Sequence, residues 1–121
     1  MKYDQTTVDL LKAAQIMRER GWCQGSLQNG AGGPVCLWGA IYVAIYGDAY
    51  PANFDEKLLQ ARRLSVHGRL SSFICKNYSD KAIGPERNIV SLAAVNDSAD
   101  CTQEKAIAML QGAAEMLLRA K

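Results

Sequence analysis

Between Leu37 and Tyr46 the chain reads LWGAIYVAIY, a run without one charged residue that stops at Gly47. A segment this apolar has to be covered on nearly every side, so the remaining elements must wrap around it. Its length favours a buried helix over a strand, although its Ile, Val and Tyr residues keep a central strand as the competing reading. The rest of the chain offers helices to do the covering. Thr6 or Thr7 can cap a first helix that runs to Arg20 and leaves through Gly21. Val8, Leu11, Ala14 and Arg18 form one row on it, with Leu10, Ala13, Ala14 and Met17 beside them, while Lys12, Glu19 and Arg20 fall on the solvated side.

Asn53 followed by Glu56 resembles a capping box. The helix it opens would turn Phe54, Leu58, Ala61 and Leu64 or Ser65 inward and break at Gly68. A shorter helix over Leu70 to Tyr78 follows, then a break from Ser79 to Pro85 and a short apolar piece from Ile89 to Val95. Thr102 caps a last helix with Glu104 near its positive end and Ile107, Leu110, Ala114 and Leu117 at core spacing.

Trp22 to Cys36 differs in character, being rich in glycine and containing Asn29-Gly30, a strong hairpin signal. A two-residue turn there sets Gln28 opposite Ala31, Gly25 opposite Pro34 and Cys23 opposite Cys36. The expected fold is mainly α: one domain over residues 1–121, a compact bundle of about five helices with a short Gly-rich β-hairpin or ordered loop at 22–36. With 49% hydrophobic and 21% charged residues in 121, the chain is long and apolar enough for a real core. A net charge of +2 gives no strong pull toward nucleic acid or anionic lipid. The first residues show no export signal and no apolar stretch reaches membrane length, so a reducing cytoplasm with free thiols is expected.

Three short signatures carry a family resemblance. Gly21-Trp22-Cys23-Gln24-Gly25, then Pro34-Val35-Cys36 leading into Gly39-Ala40, then Val95-Asn96-Asp97 ahead of Thr102, resemble a family of small uncharacterised proteins from actinobacteria and their phages. The chain departs from that pattern in having Val95 where the family usually has tryptophan, and in its middle region from Tyr50 to Ile83. The resemblance implies organisation and a cytoplasmic, phage or actinobacterial setting, and it implies no reaction.

The candidate chemistry is thin. Cys23 or Cys36 could serve as a nucleophile or redox pair, with His67 as base and Asp97 (or Asn96) orienting it, but one Cys, one His and one Asn/Asp occur in most chains. No cysteine spacing matches a zinc site, so no metal is expected. No cofactor is expected either, because the glycines of 30–33 lack the phosphate-loop pattern. Arg62, Arg63 and Arg69, with Lys57 and His67, make the most basic stretch and could contact phosphates, though a solvated helix face is the favoured reading.

Asn96 and Asp97 suit a loop anchor before the last helix. The features unusual for a plain helical bundle are the loop and its flanking tryptophans. Trp22, Gln24, Asn29 and Trp38 are therefore the expected binding residues of a non-enzymatic interaction protein, whose partner is another protein, with no membrane role, nucleic acid disfavoured and a homo-oligomer left open.

Overall fold

The computed structural model describes residues 4–78 and 91–119, with the side chains of 117–119 left aside. Five helices follow in order: α1 (Gln5–Arg20), α2 (Leu37–Tyr46), α3 (Lys57–Asn77), α4 (Leu92–Asn96) and α5 (Gln103–Arg119). The apolar run is helix α2, ending at Gly47, whose left-handed φ of 84° ends the helix without the penalty a side chain would incur.

Helix α1 lies at the centre, touching α5, α2 and α3. Its inward row is Leu10, Ala13, Ala14 and Met17; Val8, from the neighbouring row, is exposed. The two alanines let helices approach closely, while Leu10 and Met17 fill the space between them. Leu37, Ile41 and Ile45 of α2, Val66, Leu70 and Ile74 of α3, and Met109, Leu110 and Ala113 of α5 complete one cluster. Each large side chain removed from water there contributes about 1.5–3 kcal/mol.

Helix α3 departs most from expectation. It runs unbroken through Gly68, which is exposed and has no neighbour that a side chain would meet. The helix starts later than Asn53 because Glu56 is the cap, its carboxylate accepting from the Leu59 amide at 2.8 Å. The inward row is Val66, Leu70 and Ile74, so the face expected to be buried points out, with Leu58 76% and Leu64 56% exposed. Phe54, before the helix, stacks on Tyr46 of α2 at 5.7 Å instead, under the Arg63 guanidinium at 4.2 Å.

Helix α3 is held to α1 by charge as well. Arg62 reaches the buried Asp9 with two hydrogen bonds of 2.8 and 3.1 Å, and Gln5 adds a third donor. Arg69 bonds both Asp4, the cap of α1, at 2.7 Å and the Thr7 hydroxyl at 2.6 Å. The cap is thus Asp4 rather than Thr6 or Thr7, accepting from the Thr7 amide at 2.7 Å.

The expected hairpin is corrected. Among the described residues no strand forms, and Val35 makes two isolated bridges: parallel with Trp22 and antiparallel with Gln28. The reversal spans Gly30 to Gly33, closed by a Gly33 N–H bond to the Gly30 carbonyl, so the register set by a two-residue Asn29-Gly30 turn is lost. Val35 wins this competition because its fully buried side chain fixes the register that the glycines leave loose. Arg20, expected in solvent, clamps the loop by donating to the Gly33 carbonyl and to Gln28 Oε1, each at 2.7 Å.

At the chain's end, Thr102 accepts from the Lys105 amide as the expected cap of α5, and Glu104 lies in the first turn. Leu110 and Ala114 are buried and Ile107 is partly buried. The expected break at 79–85, residues 89 and 90 of the apolar piece, and the Leu117 side chain lie outside the described residues. No described helix is long and apolar enough to cross a membrane.

Two consequences can be measured. A methyl group on Gly112 of α5 would run into the Phe73 ring of α3. Gly112→Ala should therefore lower stability in urea unfolding by about 1–3 kcal/mol, with Phe73→Leu in the same chain restoring part of the loss. Hydrogen bonding from Arg69, helped by the Thr7 amide, holds the Asp4 carboxyl at about 2, below its usual 3.8. A depressed acid stabilises the fold above its unfolded pKa and loses that contribution as pH falls through the folded one. Stability should decline between about pH 4 and pH 2 by a solvent-screened fraction of roughly 1 kcal/mol, and Asp4→Asn should remove that part of the decline.

Candidate functional site

Asn96 ends α4 and is 1% exposed. Its Oδ1 accepts from the Trp22 indole N–H at 2.7 Å and from the Leu37 amide, the first of α2, at 3.0 Å. Its Nδ2 donates to the Cys23 carbonyl and to Asp97 Oδ1, both at 3.0 Å. The carboxamide thus uses both acceptor positions and both donors, leaving no unpaired polar group in an apolar setting. Gln24 adds bonds to the Asn96 and Ser98 carbonyls, and Asp97 accepts from the Gly25 amide at 3.0 Å.

These bonds bring together three segments far apart in sequence: the loop at 22–28, the start of α2, and α4 with the residue after it. Between them a cavity of about 180 Å³ opens. Leu27, Trp38 and Ala93 supply apolar walls, Cys36 and Asn96 the buried floor, and Gly25, Ser26 and Asp97 the exposed rim. Gly39 allows the loop to come so close, since a side chain there would collide with the Leu27 carbonyl.

Cys36 is the cap of α2, its sulfur accepting from the Gly39 amide at 3.3 Å. Burial is the larger influence on its thiol and raises its pKa, outweighing the amides that favour the thiolate. Asp97 goes the other way: the Gly25 amide, then the Asn96 amide, lower its pKa and keep it ionised. His67 sits mid-helix on α3, its ring 5.1 Å from that of Trp38. It is partly buried, not beside a helix break as expected. Trp38 also stacks on Tyr42 at 5.3 Å, and Tyr42 meets Phe54 edge-on at 5.5 Å. One side of the cavity is thereby stiffened.

Of the expected catalytic set, Cys36 and Asp97 share the cavity. Cys23 points its thiol at the Ser26 and Pro34 carbonyls, 3.5 and 3.4 Å away. Of the expected binding residues, Trp38 lines the cavity, Trp22 and Gln24 hold the loop to Asn96 and its neighbours, and Asn29 stands exposed on the loop with its amide on the Pro34 carbonyl. The basic residues of α3 lie elsewhere: Arg62 and Arg69 face α1, and Arg63 covers Phe54. Among the described residues no group of three His, Cys, Asp or Glu side chains is placed to hold a metal ion. Leu27 and Ala93 were missed, and no local pattern marks them; they matter only because Asn96 draws the loop and α4 together.

The model of a family described as a family of unknown function (DUF6197) matches residues 1–116. No curated protein and no solved structure matches the chain. Val95, at the place where tryptophan was expected from the resemblance, is buried in the core.

Replacing Asn96 tests the tie directly. Asn96→Ala strands the Leu37 amide and the Trp22 indole, and each buried unpaired donor costs about 1–3 kcal/mol. Denaturant unfolding should show a loss of about 2–4 kcal/mol, with the Trp emission shifted toward the solvent-exposed spectrum in the remaining native state.

Proposed function

The chain belongs to that family of unknown function, and from this starting point we propose that it is a non-enzymatic protein-interaction module whose cavity receives one apolar side chain of a partner protein. The observation that carries the reading is the pairing of apolar cavity walls with polar groups already committed to the fold. Asn96 has no donor or acceptor left to offer, the Cys36 thiol is kept protonated by burial, and Asp97 is held ionised, far from the pKa a general base needs near neutral pH.

Size argues the same way. About 180 Å³ is less than the ~300–1,000 Å³ of small-molecule clefts, and close to the roughly 150 Å³ of an engineered cavity that holds benzene. A leucine, methionine or phenylalanine side chain suits it. Trp38 at the wall would supply the aromatic contact common at binding hot spots, and the ionised Asp97 at the rim favours a Lys or Arg beside the anchor. The phage setting implied by the resemblance makes a host or regulatory protein the class of partner.

Ala93 lines the cavity from an exposed position on α4, so Ala93→Phe should fill it without disturbing the core. Peptides selected from a random displayed library against the native protein should share one bulky apolar residue next to a basic one. They should bind Ala93→Phe at least about tenfold more weakly, a difference of about 1.4 kcal/mol, while circular dichroism and Tm stay unchanged. Equal binding to both proteins, or no enrichment of such a motif, would defeat the reading.

A further inference from the structure

We propose that Cys23 and Cys36 are a reversible redox pair, closing to an intramolecular disulfide by exchange with a low-molecular-weight disulfide. The backbone sets them side by side. The Val35 amide bonds the Gly21 carbonyl at 3.0 Å and the Cys23 amide bonds the Val35 carbonyl at 3.1 Å, a parallel alignment in which Trp22 is opposite Val35. Cys36 is itself extended, with φ −87° and ψ −177°, so the alignment carries one residue further and places it beside Cys23. Neighbouring extended segments lie about 4.8 Å apart and project paired side chains to the same face. That separation falls within the roughly 4.4–6.8 Å between Cα atoms that a disulfide spans.

The bonds that hold the sulfurs are weak: Cys23 donates to the Ser26 and Pro34 carbonyls, and Cys36 accepts from the Gly39 amide. Cys36 lies on the floor of the cavity, which gives its side chain room to turn. The thiols are also near enough that Cys23 figures among the groups raising the pKa of Cys36, after burial. This proximity is independent of what the cavity binds.

Exposure assigns the roles. Cys23 is the more accessible and meets the oxidant first, while Cys36 is buried. The Cys23 thiolate attacks one sulfur of the small disulfide, expelling the other half as a thiolate and leaving a mixed disulfide. Cys36 then gives its proton to that thiolate or to water and attacks the Cys23 sulfur, releasing the second half. The net change is two protein thiols and one small disulfide to one protein disulfide and two small thiols. In the product the Cys36 sulfur leaves its capping position at Gly39 and the cavity floor changes shape.

The sequence makes the test clean, because no Lys or Arg lies between Arg20 and Lys57. Trypsin therefore leaves Cys23 and Cys36 in one peptide, 21–57, apart from Cys75 and Cys101. The full chain is incubated with oxidised glutathione under native conditions, alkylated, digested and weighed. Peptide 21–57 should become two hydrogens lighter and refuse alkylation, the Cys75 and Cys101 peptides should still be alkylated, and dithiothreitol should reverse the change. Cys36→Ser, which keeps a capping side chain, should instead hold one glutathione on Cys23. Full alkylation of peptide 21–57 after oxidation, a lasting glutathione adduct in the native chain, a bond between chains, or an unmodified Cys36→Ser protein would each overturn the proposal.

Discussion

The Asn96 carboxamide is the contact on which the loop, the start of α2 and the cavity depend. It bonds three partners 59 to 74 residues away in sequence and the adjacent Asp97, so that all four of its hydrogen-bonding positions are filled. A buried amide is costly unless fully paired, so the arrangement tolerates few alternatives, and that intolerance gives the loop a single position. Glycine-rich backbone does not choose its own register. Here Asn96 and the buried Val35 choose it, one by hydrogen bonds and the other by packing.

A second constraint orients α3. Asp9 is 2% exposed, and an ionised carboxylate at such a depth requires a cation. Arg62 supplies it, and seven residues later, on the same helix face, Arg69 reaches Asp4 and Thr7. With those two arginines facing α1, the helix must turn Val66, Leu70 and Ile74 toward the core and Leu58 and Leu64 away. The basic stretch that suggested phosphate contacts in the sequence thus has two of its arginines matched to carboxylates within the fold. Arg63 rests on an aromatic ring.

Much of the helical architecture is legible from local chemistry. Helix α2 was expected over its observed range, since a charge-free run bordered by a cap and a glycine leaves little choice of ends. Helices α1 and α5 follow from their apolar rows, and α5 also from its Thr102 cap, whereas α1 is capped by Asp4 in place of the expected threonine. Helix α3 misleads because its sequence is apolar on two faces, and only Asp9 and Asp4, more than fifty residues away, decide between them. Gly68 misleads for a related reason: a glycine inside a helix costs about 1 kcal/mol against alanine, which reads as a break, but packing of the residues around it offsets so small a penalty. The loop was recognisable as unusual, while its pairing was not, because Val35 packs by its tertiary surroundings.

The candidate site shows the same division. Trp38, Cys36 and Asp97 stood out by residue type, and they do meet around one cavity. Trp22 and Gln24 also stood out, yet they serve the loop's attachment, and this separates two meanings of an unusual aromatic in a small helical protein. An indole whose N–H is spent on a buried amide is a structural strut: removing it leaves Asn96 underpaired. An indole that stacks on Tyr42, meets the His67 ring at a tilt and lines an opening is instead part of a wall. Trp22 belongs to the first kind and Trp38 to the second. Of the four residues expected to bind, geometry puts only Trp38 at the cavity, where Leu27 and Ala93 complete a surface that residue type alone could not have marked.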